Sequence, residues 1–97
     1  MQATTDHIIT CSVIVLSARV IERDRYVLVI VEGLYSSDIW GSLHVTASRI
    51  VDSPVDPLAR AARSLASGAT VDCDVRLTSR PGPSGRPQLY FDLVAIK

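Results

Sequence analysis

The amino-acid sequence predicts an all-β domain with one short helix: five strands, with the helix between the third and the fourth. Three observations carry that expectation. Five stretches are too rich in β-branched and aromatic residues, or alternate too regularly between apolar and polar, to be helices. A single stretch has a helix start signal, a helical apolar stripe and a stop signal in that order. The segments between them carry the charged, Pro, Gly and Ser residues of turns.

The first strand is IITCSVIVLSARVI, Ile8 to Ile21, and the second is YVLVIVEGL, Tyr26 to Leu34. The connection between them is too short for anything but a hairpin, so the two are antiparallel neighbours. After the loop YSSD, the segment IWGSLHVTASRIV (Ile39 to Val51) places Ile39, Leu43, Val45 and Ala47 on one face and Trp40, Ser42, His44, Thr46 and Ser48 on the other. Gly41 falls on the apolar face, where a strand curving into a barrel needs a small residue. In DSPVDPLARAARSLASG, Asp56 is the expected N-cap, Pro57 the first helical residue and Gly68 the stop. Leu58, Ala61, Ala62 and Leu65 form its apolar stripe, with Arg60 and Arg63 pointing away. TVDCDVRLTS (Thr70 to Ser79) alternates again, with Val71, Cys73, Val75 and Leu77 inward. The last strand, Leu89 to Lys97, follows a long Pro/Gly/Arg loop; Phe91 shares the core face with Leu89 and Leu93, and Tyr90 shares the other with Asp92.

This order is the plan of the OB-fold, a five-stranded Greek-key barrel whose helix plugs one end. An SH3-like barrel is the rival, but it does not ordinarily hold so well capped a helix at that point. At 97 residues the chain is expected to be one domain, residues 1–97. Its hydrophobic fraction of 47% against 21% charged is that of a globular protein, which excludes disorder. No apolar run approaches the roughly 18 residues of a membrane helix, so no membrane association is expected. No Lys or Arg precedes Arg19, so a secretory n-region is missing and a cytoplasmic location is the expectation. Cys11 and Cys73 lie on strands that would be neighbours if they pair, which leaves a disulfide open; free thiols are expected because no export signal accompanies them.

Catalysis has little support. His7 and His44 do not have a metal-ligand spacing, neither H-E-x-x-H nor C-x-x-C occurs, and GPSGR is not a nucleophile elbow. No catalytic residue, metal or cofactor is therefore expected, and the protein is read as a non-enzyme. Asp72 and Asp74 share one strand face, as a carboxylate pair would, but a solvated face is the expected reading.

Binding has more. The ten basic residues balance ten acidic ones, and nine of the ten are Arg, the type that grips phosphate in a fork and stacks on rings. Arg80 and Arg86 bracket the stiff loop before the last strand, and Arg23 and Arg25 occupy the first hairpin beside Glu22 and Asp24. In OB-folds these two loops flank the oligonucleotide groove. Trp40 is a large aromatic on the polar face of the third strand, where it either stacks on a base or is covered by a loop or a subunit. Tyr90 is the second candidate ring, and His44 and Arg49 on the third strand complete the set.

GATVDCDVRLTS resembles the strand after the helix in the single-stranded-DNA-binding OB-fold family of bacterial single-strand-binding protein and primosomal replication protein B. SGRPQLYFDLVAIK is similar to the last hairpin of some filamentous-phage single-strand-binding proteins. The resemblance implies single-stranded DNA as partner, cooperative or oligomeric binding, and a place in DNA replication. The chain departs from the bacterial pattern where VIVLSARV replaces a glycine-bearing first strand, and it shows no acidic tail, so docking of other proteins through such a tail is not expected. The combined expectation is largely sequence-independent binding of single-stranded DNA, with RNA left open, by Arg–phosphate contacts and stacking on Trp40 and Tyr90. Strand 2 is apolar on both faces, so a second subunit in a homodimer or larger homo-oligomer, or else the N-terminal segment, is expected to cover it. The alternative is an OB-fold protein-interaction module that uses that same face.

Overall fold

Alternation of Val with polar or bulkier residues gives each strand one side that can only be satisfied away from water, and the chain meets that demand by rolling its sheet closed. The computed structural model describes residues 8–37 and 41–97, with the side chains of 37, 79, 80 and 87–90 outside that description. The elements are β1 (Ile8–Glu22), β2 (Val27–Ser37), β3 (Gly41–Val51), α1 (Pro57–Arg63), β4 (Thr70–Pro81) and β5 (Pro87–Ile96). They pair in the order β1-β2-β3-β5-β4, and β4 returns to β1, giving the closed five-stranded barrel of the OB-fold. Val13, Val15, Val27, Val29, Val31, Ala47, Val51, Cys73, Val75 and Leu93 line its interior.

Closure depends on β1 serving two neighbours. Its first half, Ile8 to Ile14, pairs with β4, and Val13 to Glu22 pairs with β2. The register shifts between Val15 and Ser17, so Leu16 is a bulge and the inward set changes from Val13 and Val15 to Ala18 and Val20. At the same point Gly68 N donates to Val15 O at 2.7 Å and Val15 N donates to Ala69 O at 2.8 Å. With Gly68 at φ +91°, this is a glycine bulge, and the Ser67 hydroxyl adds a bond to Leu16 O at 3.2 Å. The strand thus bends where the loop after α1 is tied to it.

The small residue that curvature needs is Gly33 on β2, not Gly41. A Cβ on Gly33 would sit 2.9 Å from Ile14 O and 3.1 Å from Val13 Cβ. Gly41 has open space around it and instead supplies a φ of +74° at the start of β3. The helix is capped as expected: Asp56 Oδ1 accepts from Leu58 N at 2.9 Å, Pro57 is the first residue, and Leu58, Ala59 and Ala62 are buried. It stops at Arg63, capped by Ser64, so Leu65 and Gly68 belong to the following loop rather than to the last turn.

Register also places the ends of the barrel. Val27 opposes Val51 and Ser37 opposes Gly41, so the β1–β2 hairpin lies at the end of β3 and next to α1. Arg63 secures that end by bonding Glu22 Oε2 at 3.2 Å and Pro54 O at 2.5 Å. β5 runs parallel to β3, pairing Ala47 with Phe91 and Ser48 with Asp92, so the β4–β5 turn lies toward the start of β3. Among the described residues no helix is long and apolar enough to cross a membrane.

Candidate nucleic-acid interface

The even-numbered residues of β2 point outward, opposite their β1 and β3 partners, and build a face of four rungs. They run Ile21–Leu28–Ile50, Arg19–Ile30–Ser48, Ser17–Glu32–Thr46 and Ile14–Leu34–His44. The first rung, beside the hairpin, is apolar, and its Ile50 is 62% exposed. The third carries Glu32, the lone charge in β2, which is held from three sides. Ser17 Oγ donates to Oε1 at 3.2 Å, Arg19 lies 3.8 Å from the same oxygen, and His44 Nε2 lies 3.3 Å from Oε2.

The predicted site residues that can be placed are not gathered at one point: Arg23 and Arg25 stand at one end of this face, Arg86 toward the other, His44 on it and Arg49 off it. Arg23 and Arg25 are exposed on the four-residue hairpin, which Arg23 N closes by donating to Tyr26 O at 2.9 Å. Glu22, expected to offset them, is turned to Arg63 instead, leaving Asp24 as the acid within the turn. At the far end Arg86 is exposed on a compact turn, in which Gly82 N donates to Arg86 O at 2.8 Å and Gly85 N to Gly82 O at 2.9 Å. Strand pairing continues to Pro81 and Pro87, so this loop is shorter than its composition suggests. Arg80 and Tyr90 sit in the paired backbone opposite Gln88 and Thr78, with their side chains outside the described set. Trp40 lies outside the described residues altogether.

Two candidates have surroundings that sequence alone did not reveal. His44 stands in the fourth rung and is engaged with Glu32 of the third. Arg49 opposes Val29 and so has the inward parity of β3, yet it is exposed because β3 and β5 part after Ser48. It lines a separate groove of about 370 Å³ with Val51, Leu58, Val94 and Ile96, between the two strands and α1. Three residues were missed. Arg19 joins the outer face only because the Leu16 bulge reverses the parity of β1. Glu32 was signalled by its isolation in an apolar strand. Tyr26, taken as the start of a strand, is a 40% exposed ring between the hairpin arginines and the apolar rung.

Asp72 and Asp74 lie on the other wall, where β4 meets β1. The Ser12 hydroxyl donates to Asp72, and the Thr10 hydroxyl donates to Asp74 Oδ1 at 2.6 Å, with Lys97 Nζ 3.3 Å from Oδ2. The Thr10 bond, aided by Lys97, holds the Asp74 carboxyl below its ordinary range against the opposing effect of burial. It is a bonded carboxylate at neutral pH, not a stored proton. Among the described residues no three His, Cys, Asp or Glu side chains are grouped to hold a metal ion. No protein-family model matches the chain, and a search of curated proteins finds no relative.

Glu32 is the one acid among these four rungs, so its charge is the one that would repel a phosphate laid on this face. Glu32→Gln removes one repulsive charge and releases Arg19, effects of about 1 kcal/mol for a charge at close range in water. Oligo-dT affinity measured by fluorescence anisotropy at low ionic strength is expected to rise about fivefold, and the gain to shrink with added salt. An unchanged affinity would place the nucleic acid off this face.

Proposed function

We propose that this protein binds single-stranded DNA along the outer β2·β3 face without reading base identity. One observation carries the reading: the hairpin with Arg23, Arg25 and Tyr26 and the turn with Arg86 stand at opposite ends of β3 in a closed OB barrel. One strand of this length spans roughly 33 Å, room for several nucleotides and within the site sizes of about 4 to 16 nucleotides that OB-folds cover. Arginine forks at the two ends take phosphates, and small polar side chains between them, Ser42, Thr46 and Ser48, leave a low floor for bases. Tyr26 and the first-rung apolar residues, with Trp40 and Tyr90, supply the stacking surface. Replication, which the family resemblance implies, is the setting that suits such an activity.

Trp40 is the single tryptophan, so its fluorescence tests this reading directly. Titration with oligo-dT should quench the signal, with a duplex of equal length as the weak competitor and an RNA oligomer deciding between the two nucleic acids. Trp40→Ala is expected to weaken binding by about 1 to 3 kcal/mol, and Trp40→Phe to retain most of the affinity. Oligo-dT binding that leaves the fluorescence unmoved, with wild-type affinity in a folded Trp40→Ala protein, would take Trp40 out of the site.

A second reading has its own observation. The Ile21–Leu28–Ile50 rung is apolar and open at Ile50, as a subunit or protein contact would be. Light scattering should then give a mass above the 10.5 kDa of one chain, reverting to it in Ile50→Glu.

A further inference from the structure

Cys11 and Cys73 are directly opposed on β1 and β4, both face the barrel interior, and both are free thiols. They border a cavity of about 20 Å³, no more than one water molecule needs, shared with Val13, Val31, Phe91 and Leu93. The rung cannot slip. On the outer surface the Thr10–Asp74 and Ser12–Asp72 bonds flank it on either side, and a shift of one residue would break both and turn the inward set to solvent.

The glycine bulge at Gly68 and Ala69 fixes the spacing. Val15 N bonds Ala69 O, which makes that rung a hydrogen-bonded one, and the uninterrupted register carries the same type to Val13–Val71 and Cys11–Cys73. Opposed Cα atoms in such rungs lie about 5.5 Å apart, inside the roughly 4.4 to 6.8 Å that a disulfide spans. Their Cβ atoms lie toward the far end of about 4.5 to 5.5 Å, wider than a relaxed bridge, so the bond would form at some strain and be readily reduced.

We propose that Cys11 and Cys73 are a reversible dithiol modification site whose reagent is a low-molecular-weight disulfide of the glutathione type. The Cys11 thiolate attacks one sulfur of the reagent, breaking its S–S bond and releasing one small thiol. The Cys73 thiolate then attacks the Cys11 sulfur, forming the cross-strand bond and releasing the second small thiol. The protein loses two protons and two electrons, and the reagent gains them. Cys11, half-buried, is the entry point, because Cys73 is 3% exposed. Burial raises both thiols, and for Cys73 the neighbouring Cys11, Asp72 and Asp74 add to it, so the exchange is slow without a catalyst. The product clamps the wall where β4 closes on β1, away from the β2·β3 face.

Folded protein incubated with millimolar oxidised glutathione should lose the mass of two hydrogens, and a non-reducing digest should join the Cys11 and Cys73 peptides. Thermal unfolding of that species should shift upward by roughly 5 to 15 °C and return on reduction. Cys73→Ser should instead hold a lasting glutathione adduct on Cys11, and Cys11→Ser should remain unmodified. A wild-type protein that accumulates the lasting adduct, or that forms the internal bond only after unfolding in urea, would overturn the proposal, and the mass of the wild type decides this even if neither variant folds.

Discussion

Leu93→Ala is expected to destabilise the barrel by about 3 to 5 kcal/mol, a large part of the about 5 to 15 kcal/mol that holds a domain together. Leu93 is fully buried on β5, opposite Val75, and β5 is the strand that joins β3 to β4. Its side chain borders the interior cavity, so truncation enlarges a void instead of opening a surface. Leu93 is held by its pairing with Val75 on β4 and packed against the closed interior, so the surroundings collapse only partly into the space, which puts the cost within the range for buried leucine. Leu93→Met keeps the volume and should cost less than about 1.5 kcal/mol. Ile50→Ala, at an exposed position of the same size, should stay within about 0.5 kcal/mol of wild type. Urea unfolding followed by circular dichroism separates the three, with an unchanged slope required for the comparison. A Leu93→Ala midpoint equal to that of Ile50→Ala would mean that β5 does not close the core.

The strand order was legible because each strand announces itself locally. Ala47, Val75 and Leu93 sit inside, where alternation placed them, and the Asp56–Pro57 start of α1 is a short-range signal that tertiary packing did not override. What sequence obscured is what depends on contacts between strands. β1 is apolar on both sides around Ile14, Val15 and Leu16, so no polar residue marks the bulge at which its parity reverses, and Arg19 was left without a face. Gly41 and Gly33 look alike in a strand; only the approach of β1 to β2 shows that Gly33 is the one that a side chain would obstruct. Helix length was overestimated because Leu65 continues the apolar spacing while belonging to a loop that packs on the same core.

For the candidate site, residue type was legible and grouping was not. Arg23, Arg25 and Arg86 are solvent-facing, as their turn context required. Ion pairing is a matter of distance through space. Glu22 lies next to Arg23 in sequence but is spent on Arg63 of α1, while Glu32 takes Arg19 and His44 from two different strands. The hairpin is therefore more basic than its sequence suggests and the middle of the face less so. Arg49 departs for another reason: strand parity assigns it inward, and the parting of β3 from β5 gives its side chain a groove of its own.

Removing the three exposed arginines, as Arg23→Ala, Arg25→Ala and Arg86→Ala together, should lower oligo-dT affinity by about 100-fold at low salt, on the basis of about 1 kcal/mol per phosphate contact. The more diagnostic quantity is the salt dependence. Each phosphate contact on a single strand contributes about 0.7 to the slope of log affinity against log salt, so the triple variant should lose about 2. The hairpin pair and Arg86 lie at opposite ends of β3, too far apart to share a phosphate, so their effects should add: about 1.4 from Arg23 and Arg25, and about 0.7 from Arg86. Lys97→Ala is the matched control, since Lys97 is paired with Asp74 on the β1·β4 wall, and it should leave the slope unchanged. A loss confined to the hairpin pair would shorten the path of the strand to the end where Tyr26 and the Ile21–Leu28–Ile50 rung stand. If the triple variant keeps both the slope and the affinity of the wild type, the arginines only solvate the barrel, and the open rung at Ile50 becomes its binding surface.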